Sequence, residues 1–199
     1  MGCGGDILSH ALEYGLRLTD EQPYFVSGRL HTFTEGRRND DQAQCRVVFK
    51  SGFYLDCRAV QVEVGALNDI AIKVILKDAT IKWSIRRPEE VEVFTSSGKR
   101  ILEKLAGEFG ELCPQAASLS SFAPAHPEGQ RDALAEGIRR MQGDFLERVT
   151  GVRPSWAGDN PKLPSIDTAL AIAQILDRLT TSATNNGTPM PYQPEDGQV

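Results

Sequence analysis

The sequence lacks several features that would define its class at once. It has no run of about 20 apolar residues, so we expect no membrane-spanning helix. Its first residues, Met-Gly-Cys-Gly-Gly-Asp, lack the basic start and apolar core of a secretory signal. They resemble the start of acylated proteins, but Asp6 stands where the myristoylation pattern has Ser or Thr. We therefore expect a cytoplasmic protein without N-terminal lipidation.

Cysteine and histidine are scarce and scattered. The four cysteines (Cys3, Cys45, Cys57 and Cys113) include no C-x-x-C pair, which argues against a zinc ribbon and a disulfide scaffold. The three histidines are far apart, and neither H-E-x-x-H nor G-x-S-x-G occurs. The glycines before the first predicted helix follow no strand and precede no Gly-Lys-Ser/Thr, so they form no phosphate loop. The sequence therefore predicts no catalytic residue, cofactor or metal site.

Composition is otherwise that of a globular protein. Of the 199 residues, 40% are hydrophobic and 25% charged, which is enough for one domain with a sizeable core and an appendage. The net charge of −5 argues against a protein that wraps nucleic acid, although it leaves room for a local basic face.

The clearest local structure is a hairpin over residues 45–57. A three-residue loop, 50–52, pairs Phe49 with Phe53 and collects the apolar side chains on one face of the hairpin. A two-residue turn would mix apolar and charged side chains on one face. The sequence therefore predicts the three-residue loop.

This register carries three further predictions. Arg46 lies beside Asp56, and Gly52 adopts a positive φ at the end of the loop. Cys45 faces Cys57 on the apolar side, and we interpret the two as core thiols rather than a disulfide.

Strand signals extend from residue 23 to residue 95. The alternation changes phase near Arg58 and Ala59, which predicts a bulge there. A second hairpin, 70–86, has one apolar and one polar face around a four-residue loop, 77–80. We therefore predict an α+β fold with a curled antiparallel sheet of five or six strands, barrel-like or a meander, flanked by helices and followed by a helical C-terminal extension.

Composition changes at Cys113, where Pro, Ala and Ser become frequent. The expected organisation is an N-terminal helix (1–22), a sheet domain with a closing helix (23–112), a Pro/Ala-rich linker (113–129), a helical extension (130–181) and a disordered tail (182–199).

Polar residues near the N-terminus are interpreted as structural. Asp6 caps the first helix, and His10 with Glu13 forms a local polar pair. The charged loop 35–42 has no apolar residue, so we expect it to be solvated and mobile. Its two adjacent aspartates could attract a metal only with ligands from elsewhere in the chain.

Two surfaces are candidate binding sites. One is the basic polar face of the second hairpin, joined by an exposed aromatic, which would suit single-stranded nucleic acid. Its residues are Lys73, Lys77, Lys82, Arg86 and Tyr54. The other is an apolar helical stripe that needs a partner surface. Its residues are Leu134, Ile138, Met141, Phe145 and Val149.

The stripe favours a non-catalytic interaction or structural subunit, an adaptor or assembly component that docks a protein partner or a second copy through its C-terminal helices. The alternative is a nucleic-acid-binding accessory protein that uses the basic face. A third interpretation, a membrane-peripheral adaptor of pleckstrin-homology-like shape, rests on fold analogy. Because no catalytic motif is present, we expect an oligomeric protein-binding component rather than an enzyme.

Overall fold

A computed structural model of the chain describes residues 1–19, 21–66, 69–87, 90–103, 141–152 and 166–192. The chain divides into two units. The first comprises Met1–Gly65 and Pro164–Val199, and the second comprises Ala66–Leu163. The chain thus leaves the first unit after Gly65 and returns to it a hundred residues later.

Each unit contains a four-stranded antiparallel sheet. In the first unit, a π-helical turn (Gly4–Leu8) leads into α1 (Ser9–Leu16), and the sheet holds β1 (Pro23–His31), β2 (Gln42–Phe49) and β3 (Tyr54–Val60). The second unit holds β4 (Ala71–Ile75), β5 (Ala79–Ser84), β6 (Glu90–Thr95), β7 (Gly98–Glu103) and helix α2 (141–150). The chain then adds α3 (Ile166–Thr184) and β8 (Met190–Pro191) to the first unit.

The hairpin of β2 and β3 confirms the predicted register. The Phe49 amide donates to the Phe53 carbonyl at 2.9 Å, and the two rings lie 5.3 Å apart. Arg46 is the cross-strand partner of Asp56, and Gly52 has φ +89°. Alternation and one glycine thus sufficed to predict this hairpin.

The core of the first unit lies between the apolar face of its sheet and two helices. Leu12 of α1 and Leu179 of α3 are fully buried against that face. Gly28 of β1 lets α3 approach closely, because a Cβ there would lie 2.5 Å from the Leu179 Cδ1. The Gly28 amide also donates to Ser182 Oγ at 3.0 Å, which fixes the end of α3 on the sheet.

The expected disorder of residues 182–192 is wrong. The chain leaves α3 through Asn186 and Gly187, both with positive φ, and the Gly187 amide donates to the Ser182 carbonyl at 2.8 Å. β8 then pairs with β1, so the sheet order is β3-β2-β1-β8, and Tyr192 is buried. Residues 193–199 of the predicted tail lie outside the described residues.

The hairpin of β4 and β5 has the predicted faces but not the predicted loop. The Leu76 amide donates to the Ala79 carbonyl at 2.8 Å, so the turn contains two residues rather than four. The register therefore moves by two, and Ile72 pairs with Trp83. A shift of two residues preserves the faces, because side chains alternate with a period of two.

The predicted closing helix of the sheet domain is also wrong at its start. Residues 98–103 form β7, which pairs with β6 in the sheet order β4-β5-β6-β7. Ser96 and Ser97 make a hairpin turn rather than a helix cap, and Gly98 follows them with φ +128°. The rest of that helix (104–112), the predicted linker and residues 130–140 lie outside the described residues.

These differences overturn the predicted curled sheet of five or six strands. β3 pairs with β2 as far as Val60 with no register shift at Arg58 or Ala59, so the predicted bulge is absent from this pairing. The described strands form two four-stranded sheets instead. Among the helices of the described residues, none is long and apolar enough to cross a membrane.

Candidate active site

The N-terminal helix presents a carboxylate and an imidazole to solvent. Asp6 lies in the π-helical turn and His10 in α1, and both are exposed. Residues four apart on a helix share one face, with about 5–6 Å between their Cβ atoms. Glu13, the predicted partner of His10, instead pairs with Arg17 at 3.0 Å. The acidic neighbour of His10 on this face is therefore Asp6.

The start of this helix is held by Asp40, not by Asp6 as predicted. The Asp40 carboxylate accepts hydrogen bonds from the Gly2 and Gly4 amides, each at 2.6 Å. Its carbonyl accepts one from the Cys3 amide at 2.9 Å. Three successive amides at the helix start, where backbone donors have no helical partner, are thus satisfied by one residue.

Asp41, the next residue, organises the loop between β1 and β2. It is fully buried, and its carboxylate accepts from the Phe33 and Thr34 amides, each at 2.8 Å. Its other oxygen lies 2.8 Å from Arg37 Nη1. The hydrogen bond from Thr34 and the other donors lower the pKa of Asp41, against the opposing effect of burial. The loop expected to be solvated and mobile is therefore anchored by its two aspartates.

A second contact of Arg37 joins this loop to the helix. Arg37 Nη2 donates to Gln61 Oε1 at 2.8 Å, and Gln61 Nε2 donates to Asp6 Oδ2 at 3.4 Å. The Gln61 amide also donates to the Asp41 carbonyl at 2.9 Å. A continuous series of polar contacts therefore runs from Asp41 through Arg37 and Gln61 to Asp6.

The cysteines of the sheet are unsuited to nucleophilic chemistry. Cys45 and Cys57 are free thiols and cross-strand partners on the apolar face. Burial raises the pKa of Cys57 to about 11, and burial with the neighbouring Cys57 raises the pKa of Cys45 further. Because the thiolate is the reactive form, both are inert at neutral pH, as the prediction of core thiols implies.

The predicted nucleic-acid residues are divided between the two units. Lys73 and Lys82 are cross-strand partners in the second unit, and Lys77 lies in the turn that joins β4 to β5. Arg86 forms an ion pair with Asp69 at 3.0 Å. Tyr54 belongs to the first unit, where the Arg46 guanidinium lies 4.8 Å from its ring centre.

Acidic residues share the polar face of the second sheet. Glu92 is the cross-strand partner of Lys82 and accepts a hydrogen bond from Lys99. That hydrogen bond lowers the pKa of Glu92, and the nearby Arg87 acts in the same direction. Arg87 itself lies 2.8 Å from Glu90. The face is therefore a mixed ionic surface rather than the basic one that the sequence indicated.

The apolar stripe falls on α2. Met141, Phe145 and Val149 are all exposed there, while Leu134 and Ile138 lie outside the described residues. Whether the stripe contacts a partner stays a prediction.

Each unit also has an open groove on its sheet. The groove of the first unit, about 530 Å³, is lined by β1–β3 residues such as Arg29 and Arg46 and by the turn at Asn186. The groove of the second unit, about 250 Å³, includes Trp83 and Arg87. Neither is lined by Asp6 or His10, which lie on the open surface of the first helix.

The fold is that of known oxidoreductases. No family model matches the sequence, and no curated protein matches it. Among solved structures, an oxidoreductase from Pseudomonas syringae is 21% identical with a TM-score of 0.76, over 96% of this chain and 52% of that one. An inositol dehydrogenase homologue from Azotobacter vinelandii, complexed with NAD+, is 20% identical with a TM-score of 0.74, over 96% and 48%. A levoglucosan dehydrogenase complexed with NADH and levoglucosan is 18% identical with a TM-score of 0.70, over 97% and 50%.

At this identity the likeness establishes a shared fold, and the chain spans about half the length of these structures. It contradicts the sequence-based interpretation of the chain as a non-catalytic interaction or structural subunit, because the three matching structures named above are oxidoreductases. The expectation that the chain is not an enzyme is wrong on the same ground. The nucleic-acid alternative is wrong on the same ground, and the membrane-peripheral interpretation stays a prediction.

Proposed function

We propose that this chain is the substrate-side part of a dehydrogenase that oxidises a hydroxyl group of a polyol or sugar, with His10 as the base. The observation that carries the proposal is the exposed pair of Asp6 and His10 on an anchored helix, in a fold shared with dehydrogenases. Solved neighbours are complexed with myo-inositol or levoglucosan, which supports a polyhydroxylated substrate class.

Oxidation of an alcohol requires a proton acceptor. When an alcohol becomes a carbonyl compound, its carbon would give up a hydride to an oxidised dinucleotide such as NAD+, and the hydroxyl proton must pass to a base. Histidine suits this task, because its imidazole changes charge near neutral pH. The His10 side chain makes no hydrogen bond with any other described residue, so a ring nitrogen is available to the substrate hydroxyl. Asp6 lies one helical turn away on the same exposed face.

The dinucleotide named in the neighbouring structures does not fit the residues described here. A dinucleotide pyrophosphate is usually bound by a glycine-rich turn between a parallel strand and a helix. The described strand pairs are all antiparallel. The glycine amides at the helix start are taken by the Asp40 carboxylate, which would repel a phosphate. We infer that the half of the neighbouring structures that this chain does not span would supply that site.

Substitution of His10 tests the proposal. The assay follows reduction of NAD+ by the protein with myo-inositol and with levoglucosan. His10→Gln should lower kcat by about 100-fold or more, because it removes the base. His31→Gln is the matched control, because His31 lies in β1 with its ring stacked on Phe33 at 5.8 Å. This substitution should leave the rate within about twofold of the wild type.

A second measurement does not depend on the dinucleotide. Saturation-transfer NMR on the 199-residue chain should detect binding of the same polyols, weakened by Asp6→Asn and not by His31→Gln. Full activity of His10→Gln would refute its role as the base. The absence of both polyol binding and NAD+ reduction would refute the proposed class.

A further inference from the structure

We infer that Gln61 is a positioning residue that fixes the Asp6 carboxylate beside His10 and is itself held by Arg37 and the buried Asp41. The inference rests on the proposed function and adds the residues that set the geometry of its acid–base pair. The contacts that carry it all lie within the first unit.

The starting point is a fixed anchor. Asp41 is fully buried, and one of its carboxylate oxygens accepts two backbone amides, so this side chain cannot rotate freely. Its other oxygen forms an ion pair with Arg37 Nη1 at 2.8 Å, and the second terminal nitrogen of the same planar guanidinium donates to Gln61 Oε1. Because the guanidinium is planar and rigid, the position of the buried Asp41 carboxylate constrains the position of the Gln61 side chain at the surface.

The orientation of the Gln61 amide follows from the chemistry of its neighbours. A guanidinium has only donors, so the oxygen of the Gln61 side chain must face Arg37. This turns the NH₂ group toward Asp6 Oδ2, at 3.4 Å. The Gln61 backbone is tied to the same anchor, since its amide donates to the Asp41 carbonyl at 2.9 Å. Both the backbone and the side chain of Gln61 are thus set by the loop that Asp41 organises.

The Gln61 side chain limits the conformations of the Asp6 carboxylate. Asp6 is exposed on the first turn of the helix, where a carboxylate samples several rotamers unless a donor holds it. The Gln61 donor restricts that sampling on the side of the helix that contacts β3. The contact at 3.4 Å is long and open to water, so its effect on overall stability is small.

The test compares four variants of the full chain by the NMR signals of the His10 ring and, in the active enzyme, by kcat and KM. Asp6→Asn reports the effect of losing the carboxylate charge. Gln61→Leu removes the donor but keeps the backbone hydrogen bond to Asp41. Arg37→Lys keeps a positive charge near Asp41 but loses the planar fork. Gln44→Leu, at an exposed position of β2, is the matched control for an added surface leucine.

We expect Gln61→Leu and Arg37→Lys to move the His10 ring signals in the same direction as Asp6→Asn, and Gln44→Leu to leave them unchanged. Gln61→Leu should lower kcat about 3- to 10-fold with KM within about twofold, because misplacement of a positioned group affects the chemical step. If only Asp6→Asn moves the ring signals, the inference is wrong and the proposed function stands. If Asp6→Asn moves nothing, the proposed acid–base pair is itself wrong, and Gln61 has no group to position.

Discussion

Asp40 offers the sharpest test of how this chain builds its helix start. Asp40→Ala removes two short hydrogen bonds from a carboxylate that is 7% exposed, and it leaves the Gly2 and Gly4 amides without their acceptor. Hydrogen bonds to a charged group contribute about 1.5–3 kcal/mol each. The Gly4 bond is buried and the Gly2 bond only partly so, which gives a loss of roughly 2–4 kcal/mol in the free energy of unfolding.

Asp40→Asn should lower the free energy of unfolding by about half as much as Asp40→Ala, because one acceptor oxygen remains while the amide NH₂ faces a backbone donor. The assay is urea unfolding followed by circular dichroism, combined with hydrogen exchange at the Gly2 and Gly4 amides. Both amides should exchange much faster in Asp40→Ala. The matched control is Asp56→Ala, which removes an exposed pairing with Arg46 and should cost less than either Asp40 variant. A change below about 0.5 kcal/mol in Asp40→Ala, with unchanged exchange, would refute the reasoning.

Three further predictions concern the first unit. Gly28→Ala should lower the free energy of unfolding in urea by about 3 kcal/mol, because its methyl group would lie 2.0 Å from a backbone oxygen of the neighbouring strand. Gly15→Ala should be close to neutral, because its methyl group meets only the end of a flexible leucine. Equal losses in the two variants would contradict this contrast. The folded state lowers the pKa of Asp41, so its carboxylate stabilises the fold above the ordinary value of about 3.9, and this contribution is lost as the pH falls through the folded value. On going from neutral to acid pH, the urea midpoint should therefore fall less in Asp41→Asn than in the wild type. An equal fall in both proteins would argue against this role of Asp41. Cys45 and Cys57 should react with iodoacetamide only when the chain unfolds, since burial raises the pKa of both thiols, and rapid labelling of the folded chain would disprove this.

Local patterns predicted the parts of the fold that depend on neighbouring residues in the sequence. The register of the β2–β3 hairpin followed from side-chain alternation, with Gly52 as the turn signal. The strand β7 was mistaken for a helix because Ser96 and Ser97 suit a helix cap as well as a hairpin turn. β8 contains only two residues and is a strand only because it pairs with β1. Two residues are too few for a periodic pattern in the sequence.

The candidate site was missed for a different reason. The acid and the histidine were visible at a spacing of four, but the sequence did not show that Glu13 is engaged by Arg17. Asp40 caps a helix more than 35 residues before it, and no cap motif encodes so distant a contact. The spacing of Asp6 and His10 on one exposed helical face was the one signal that could have indicated the pair.

The return of α3 and β8 to the first unit sets a time for its completion during synthesis. The sheet face that α3 covers is made by residues up to 60, whereas Tyr192 is the last buried residue described. A ribosome adds about 5–20 residues per second, so the interval between Gly65 and Tyr192 lasts roughly 6–25 s. Throughout that interval β1, with Val26 on its buried face, lacks the helix that packs on it. The nascent chain thus exposes an open apolar sheet while the whole second unit is being made, and this is the stage at which a chaperone that binds apolar strands would increase its yield.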